Sequence, residues 1–171
     1  GIGTFMPNPI AVKKATEETR VEHAIWAEKL GLHEPSFEYT SKKEFILEVN
    51  KCVDYLNWKT PPGKRVPIQM VTAQAALESG WGTSRFANEA NNLFGIRQGL
   101  KVFETKCDSV ADYIRIINEV PAYAEFREMR QDGVTDALLL ARTLKRWAEE
   151  PHYTDLIEEV IQYNIRGVYE L

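Results

Sequence analysis

Apolar positions along this 171-residue chain recur at the three-to-four-residue spacing of one helix face in most segments. The first such segment opens at Asn8, a helix-capping residue type, with Pro9 at the first helical position, and can close at Gly31. Its stripe of Val21, Ala24 and Ile25 is interrupted one turn on by Glu28. A loop follows, and then Ser41 with Glu44 three residues on, a capping box. Behind it Phe45, Val49, Cys52, Val53 and Leu56 repeat at helical spacing. "KTPPGKR" reads as a loop, and Pro67 opens a helix to about Ser79. Thr83 is placed to cap a short helix through Ala90.

Residues 91–107 lose the helical period and fit a short strand pair or an irregular loop. Asp108 or Ser109 then starts a helix carrying Val110, Tyr113, Ile114 and Ile117, which Pro121 breaks. Residues 122–131 read as helix, stopping near Gly133. Thr135 is expected to cap a helix carrying Leu138, Leu139, Ala141, Leu144 and Trp147. Pro151 opens the last, with Leu156, Ile157, Val160 and Ile161, ending near Gly167. The pattern predicts an all-α fold with at most one short β-hairpin or irregular loop near residues 95–107.

Composition narrows the class without changing this picture. Hydrophobic residues make up 44% and charged residues 27%, as in an ordinary globular chain long enough to bury a core. No run approaches the roughly 18 apolar residues of a membrane span. No signal-peptide pattern is visible, but the chain starts at Gly1, so this says little about compartment. With a net charge of −4 and only isolated basic pairs, nucleic-acid binding is not expected. Three scattered histidines, His23, His33 and His152, show no ligand spacing, and neither a metal nor a cofactor is expected. Cys52 and Cys107 form no CxxC pair. They read as two free thiols, Cys52 sitting on an apolar stripe; one bridge in an oxidising compartment is the alternative.

Chemistry concentrates in "AQAALESGWGTS", residues 73–84. Glu78 falls where its helix ends, among unpaired carbonyls that disfavour a negative charge. A neighbouring apolar ring such as Trp81 would desolvate it further, and both effects raise a carboxyl pKa. A carboxylic acid that keeps its proton is what a glycosidase needs to protonate a leaving oxygen. Gly80 and Gly82 let the chain turn sharply, leaving Trp81 as a flat face for a sugar ring. The competing reading is a solvated Glu at a fraying helix end with Trp81 in the core. Gln74, four residues before Glu78, lies on the same helix face and either orients the acid or forms a surface pair. Asn91, Asn92 and Phe94 follow; Asn92 is the candidate for sugar hydroxyls or acetamides, with Leu93 in the core.

These residues carry a family resemblance. "AQAALESGWGTSRFANEANNLFGI" resembles the core of glycoside hydrolase family 73, the bacterial N-acetylglucosaminidases of peptidoglycan. "FETKCDSVADYIRIINEVPAYAEFREMR" is most similar to the Bax-type branch, and "WAEEPHYTDLI" to the family's closing Tyr-Ala-x-Asp-Pro-x-Tyr segment. The similarity covers roughly residues 65–165, and residues 1–64 carry no recognised motif. It implies a lysozyme-like helical domain over residues 65–171, with residues 1–64 as a helical extension packing on it. The implied activity is cleavage of β-1,4 bonds after N-acetylglucosamine in peptidoglycan strands, by a monomer in the cell envelope, periplasmic or secreted, or carried by a phage. Glu78 falls on the family's general acid. Tyr153 matches the second closing tyrosine, Trp147 stands in place of the first, and Tyr123 joins the expected substrate-binding set.

The family's β-hairpin lobe, which carries a second carboxylate, is cut here to about a dozen residues between Ile96 and Asp108. Glu104 is the weak second-carboxylate candidate, and Asp108 is expected to cap its helix. If neither reaches the cleft, attack by the substrate's own 2-acetamido group is favoured over a Glu104-assisted water. A lytic transglycosylase and a non-catalytic cell-wall glycan-binding module are the competing functions. Arg85, Arg97 and Lys101 are expected to form a basic rim that offsets the chain's net negative charge.

Overall fold

The structure, a computed structural model, describes residues 34–97, 99 and 101–169. The chain divides into two units, Gly1–His33 and Glu34–Leu171, and the described residues belong to the second. The helix expected between Asn8 and Gly31 lies outside them.

Among the described residues eight α-helices follow one another: α1 (Lys42–Lys59), α2 (Ile68–Ser79), α3 (Arg85–Glu89), α4 (Lys106–Glu119), α5 (Ala124–Gln131), α6 (Ala137–Ala141), α7 (Tyr153–Val160) and α8 (Arg166–Tyr169). Single 3₁₀ turns at Pro62–Lys64 and Pro121–Tyr123 and a π turn at Ile161–Ile165 complete the path. Among the described residues there is no strand, so of the alternatives for residues 91–107 the irregular loop is the one that forms, up to Thr105.

α2 is the central element. Met70, Val71, Thr72, Ala73, Gln74, Ala75, Ala76 and Ser79 are all buried, as expected of a helix enclosed on every side. Three alanines keep its surface small, and α1, α6, α7 and the π turn pack around it. Phe45, Val49 and Val53 of α1 join Val110, Tyr113 and Ile117 of α4 and Ile157 of α7 in one core. The Lys42–Lys59 helix, grouped by the sequence with the N-terminal extension, therefore shares the core of the body. The Thr72 hydroxyl donates to Asn50 Oδ1 at 2.7 Å, pairing a polar group inside the α1–α2 contact.

Local signals fixed helices better than their first residues. The Ser41 hydroxyl accepts from the Glu44 N–H at 3.1 Å, while Glu44 reaches back to the Thr40 N–H at 2.7 Å. The cap of α3 is Ser84, not Thr83; that of α6 is Asp136, not Thr135. α4 is capped by Thr105, whose hydroxyl accepts from the Asp108 N–H at 3.0 Å. Asp108 is thus in the first turn rather than at the cap. The helix expected from Thr135 through Trp147 ends at Ala141 and gives way to successive i→i+3 turns, including Leu144 N–H to Ala141 O and Trp147 N–H to Leu144 O. After that unwinding the Trp147 ring packs against Phe94, Tyr113 and Tyr123. The last helix starts at Tyr153, two residues after Pro151, and α8 carries through Gly167.

The two cysteines are not free. Cys52 of α1 and Cys107 of α4 form a disulfide, with Cα atoms 5.7 Å apart. An apolar stripe on one helix signals burial, not the identity of the facing residue, and here a second buried cysteine faces Cys52.

Candidate active site

The C-terminal end of α2 builds the site. Gly80, in the left-handed region at φ 57°, stops the helix, and its N–H bonds the Ala76 carbonyl. Trp81, also left-handed at φ 58°, donates to the same carbonyl at 2.8 Å. The Ser79 hydroxyl accepts from the Gly82 N–H at 2.8 Å, and Tyr39 donates to the Gly82 carbonyl at 2.7 Å. A Cβ on Gly82 would lie 2.3 Å from the Tyr39 oxygen, so a larger residue would displace Tyr39 besides straining a backbone at φ 77°.

Glu78, just before this turn, lines a cleft of about 810 Å³ together with Phe94, Gly95, Arg97, Tyr123, Arg146, Trp147 and Glu149. Burial raises its pKa above the ordinary value; a hydrogen bond from Tyr153 and the charge of Arg97 pull the other way without cancelling it. Gly95 approaches so closely that a Cβ there would stand 3.2 Å from Glu78 Oε2.

Behind the acid runs a buried chain of hydrogen bonds. The Tyr113 hydroxyl donates to Gln74 Oε1, and Gln74 Nε2 donates to the Tyr153 oxygen at 3.0 Å. Since the Tyr153 oxygen already accepts from Gln74, its own proton is directed to the Glu78 carboxyl. Burial, with the neighbouring Glu78 charge, holds the Tyr153 pKa far above the usual tyrosine value, so Tyr153 acts as a donor. Tyr123 closes the 3₁₀ turn opened by Pro121; burial pushes its pKa up to about 12, with Arg146 opposing and Glu78 adding.

The expected site residues separate into three groups. Glu78, Phe94, Tyr123 and Trp147 meet at the cleft, and Tyr153 reaches it through Glu78. The Trp147 indole donates to the Phe94 carbonyl at 3.2 Å, and the Phe94 ring stacks on Tyr113 with centroids 4.4 Å apart. Gln74 and Asn92 are enclosed, at 0% and 1% exposure. Gln74 supports the acid through Tyr153 rather than by pairing with it. The Asn92 amide clamps the loop, donating to the Ile96 and Lys101 carbonyls and accepting from the Phe94 and Ile96 N–H groups, so no polar atom is left for a sugar.

Trp81 and Glu104 stand apart. The reversal at Gly80 turns Trp81 away from the cleft, edge-on to Phe45 and under the Lys42 ammonium at 4.9 Å. Glu104 is exposed and outside the cleft lining, its backbone carbonyl held by Asn91. Of the expected basic rim only Arg97 lines the cleft; Arg85 pairs with Glu89 and Lys101 with Asp112, while Arg146 takes the vacant place. Tyr113, Arg146 and Glu149 escaped the sequence reading. Tyr113 read as a core position on its stripe, and nothing local marks the other two. Among the described residues no cluster of His, Cys, Asp or Glu could hold a metal ion.

Comparison with known proteins places this chain in a family. The model of the family described as mannosyl-glycoprotein endo-beta-N-acetylglucosaminidase matches residues 63–166, more than half of the chain. Protein bax of Escherichia coli strain K12 is 31% identical over 115 residues, covering 60% of this chain and 38% of its own length. The peptidoglycan hydrolase FlgJ of Vibrio parahaemolyticus is 28% identical over 159 residues, covering 76% of this chain and 49% of its own. The chain therefore spans less than half the length of these relatives. The crystal structure of a peptidoglycan hydrolase from Sphingomonas sp. A1 superposes with a TM-score of 0.60 at 25% identity, covering 75% of this chain and 93% of that one. The catalytic domain of the autolysin Auto from Listeria monocytogenes shares the fold, with a TM-score of 0.61 at 19% identity over 88% and 96% of the two chains. The chain belongs to the glucosaminidase family, glycoside hydrolase family 73.

Proposed function

We propose that this chain hydrolyses peptidoglycan, cleaving the β-1,4 bond after N-acetylglucosamine with Glu78 as general acid. The observation that carries the reading is a carboxyl whose pKa is raised by burial, facing an open cleft of about 810 Å³. The names of the FlgJ relative and of the Sphingomonas neighbour support the choice of substrate.

Glu78 enters the reaction protonated and gives its proton to the leaving glycosidic oxygen. The bond from Tyr153 then stabilises the carboxylate left behind, and Arg97 adds charge complementarity. Gln74 and Tyr113 keep the Tyr153 proton aimed at the acid. Trp147, half-buried at the cleft, offers aromatic surface to sugar rings, and it is held from behind by the buried Phe94 and Tyr123 rings and by its bond to the Phe94 carbonyl. Arg97 and Arg146 place two guanidinium groups at the cleft, against the carboxyls of Glu78 and Glu149, and offer an anionic wall polymer charged contacts on a chain of net charge −4.

The buried disulfide supports action outside a reducing cytoplasm, in the envelope or beyond it. No helix among the described residues is long and apolar enough to cross a membrane. Mass spectrometry of digested peptidoglycan tests the reading. A hydrolase of this type leaves a reducing N-acetylglucosamine end. A 1,6-anhydromuramyl end would replace it with a lytic transglycosylase, and no cleavage at all with a glycan-binding module.

A further inference from the structure

Hydrolysis needs a second group besides the acid, to activate water or to attack the sugar itself. The shortened loop after Phe94 does not supply it: Glu104 is exposed and Asp108 lies in the first turn of α4, and neither lines the cleft. Two carboxylates do line it, Glu78 and Glu149. Glu149 reaches the cleft because α6 ends at Ala141 and the chain continues in tight turns to Trp147.

The segment carrying Glu149 is pinned on both sides. Two residues before it, the Trp147 indole is bonded to the Phe94 carbonyl at 3.2 Å. One residue after it, the Glu150 carbonyl accepts from the N–H of Tyr153 at 3.1 Å, and the Tyr153 hydroxyl holds Glu78. The backbone on which Glu149 stands is thus tied to the same tyrosine that orients the acid. A catalytic carboxylate needs such support, because its productive position is defined to about 0.5 Å. Glu149 itself is exposed on the open cleft, where water has free access.

We propose that Glu149 is the general base of the reaction, activating the water that attacks the sugar. This rests on the hydrolase reading above and adds its missing group. The water oxygen bonds to C1 as the bond from C1 to the glycosidic oxygen breaks. The water proton passes to the Glu149 carboxylate, and the departing oxygen keeps the bonding electron pair and takes the Glu78 proton. Attack from the face opposite the leaving group turns a β linkage into an α product. The acetamide route, expected only if no second acid reached the cleft, would give a β product instead.

The test compares the parent enzyme with Glu149→Gln, Glu104→Gln and Glu78→Gln on soluble uncrosslinked glycan strands, with nuclear magnetic resonance of the first-formed anomer. The α anomer is expected from the parent. Glu149→Gln is expected to lose about 10² to 10⁴ in kcat with little change in KM, at an unchanged unfolding midpoint because the side chain is exposed. Glu104→Gln is expected to keep most of the parent activity. A first-formed β anomer, a Glu149→Gln enzyme near parent kcat, or a loss confined to KM would overturn the assignment. The anomer is read on the parent alone and so does not depend on how any variant folds. If Glu78→Gln is dead while Glu149→Gln is not, the assignment of Glu149 falls and the hydrolase reading stands. If the parent cleaves nothing, both fall.

Discussion

Replacing Tyr153 with Phe removes a single oxygen from the centre of the hydrogen-bond chain behind Glu78. The ring still fills its place, since Tyr153 is only 4% exposed, so packing is preserved. Two interactions are lost. Gln74 Nε2, in a side chain with 0% exposure, loses its acceptor. An orphaned buried donor costs about 1–3 kcal/mol. At about 2–4 °C per kcal/mol for a chain of this size, the unfolding midpoint should fall by roughly 2–12 °C. Glu78 also loses a bond that favours its charged form, so its pKa, already raised by burial, moves further up. The alkaline limb of the activity profile, where the acid loses its proton, should therefore shift to higher pH. The rate at the optimum should drop about tenfold to a hundredfold, because the acid is no longer aimed. Thermal unfolding combined with initial rates of cell-wall clearing across pH measures all three. A Tyr153→Phe enzyme with an unmoved midpoint and an unmoved alkaline limb would show that the chain from Tyr113 through Gln74 does not support the acid.

Three further outcomes follow from the same geometry. Gly95→Ala should cost about 1 kcal/mol from its left-handed backbone at φ 63°, and lose far more activity than stability, since the new methyl group stands 3.2 Å from Glu78 Oε2; equal losses in paired kinetic and thermal measurements would refute this. Opening the Cys52–Cys107 bridge, which closes a separation of 55 residues, should lower stability by up to about 4 kcal/mol on the chain-entropy estimate, read as a lowered denaturation midpoint in reductant that Cys52→Ala reproduces. Glu78 should destabilise the fold at neutral pH: between its ordinary pKa of 4.5 and its higher folded value the native chain holds a proton that the unfolded chain has released, so stability falls as pH rises through that window. Glu78→Gln should then unfold at or above the parent temperature at pH 7, with the difference shrinking toward pH 4.

What the sequence disclosed depended on whether the signal was local. The Ser41–Glu44 box and the stripe from Phe45 to Val53 are read within one helix, and both hold in the structure. The end of α2 at Ser79 is similarly local, being written by Gly80. Caps next to several eligible residues slipped by one to three positions, because Thr, Ser and Asp compete for the same role and tertiary packing decides among them. Trp81 lies away from the cleft for a geometric reason: three consecutive left-handed residues, Gly80 to Gly82, reverse the chain, so nearness to Glu78 in sequence becomes separation across the turn. Gln74 and Asn92 were recognised as polar residues near the acid, but whether an amide faces a ligand or the backbone depends on burial that periodicity does not encode. The disulfide and Glu149 are products of non-local approach: Cys52 meets Cys107, and the turns after α6 bring Glu149 to the cleft of α2.

Whether Glu78 is the proton donor is measured most directly by the rate at which purified Glu78→Gln protein clears cell walls beside the parent. The substitution keeps the shape of the side chain, and the amide oxygen can still accept from Tyr153, so the fold should be retained. Glu78→Gln is expected to lose about 10² to 10⁴ in rate, while the parent releases reducing N-acetylglucosamine ends. Clearing at the parent rate by a folded Glu78→Gln protein would contradict it.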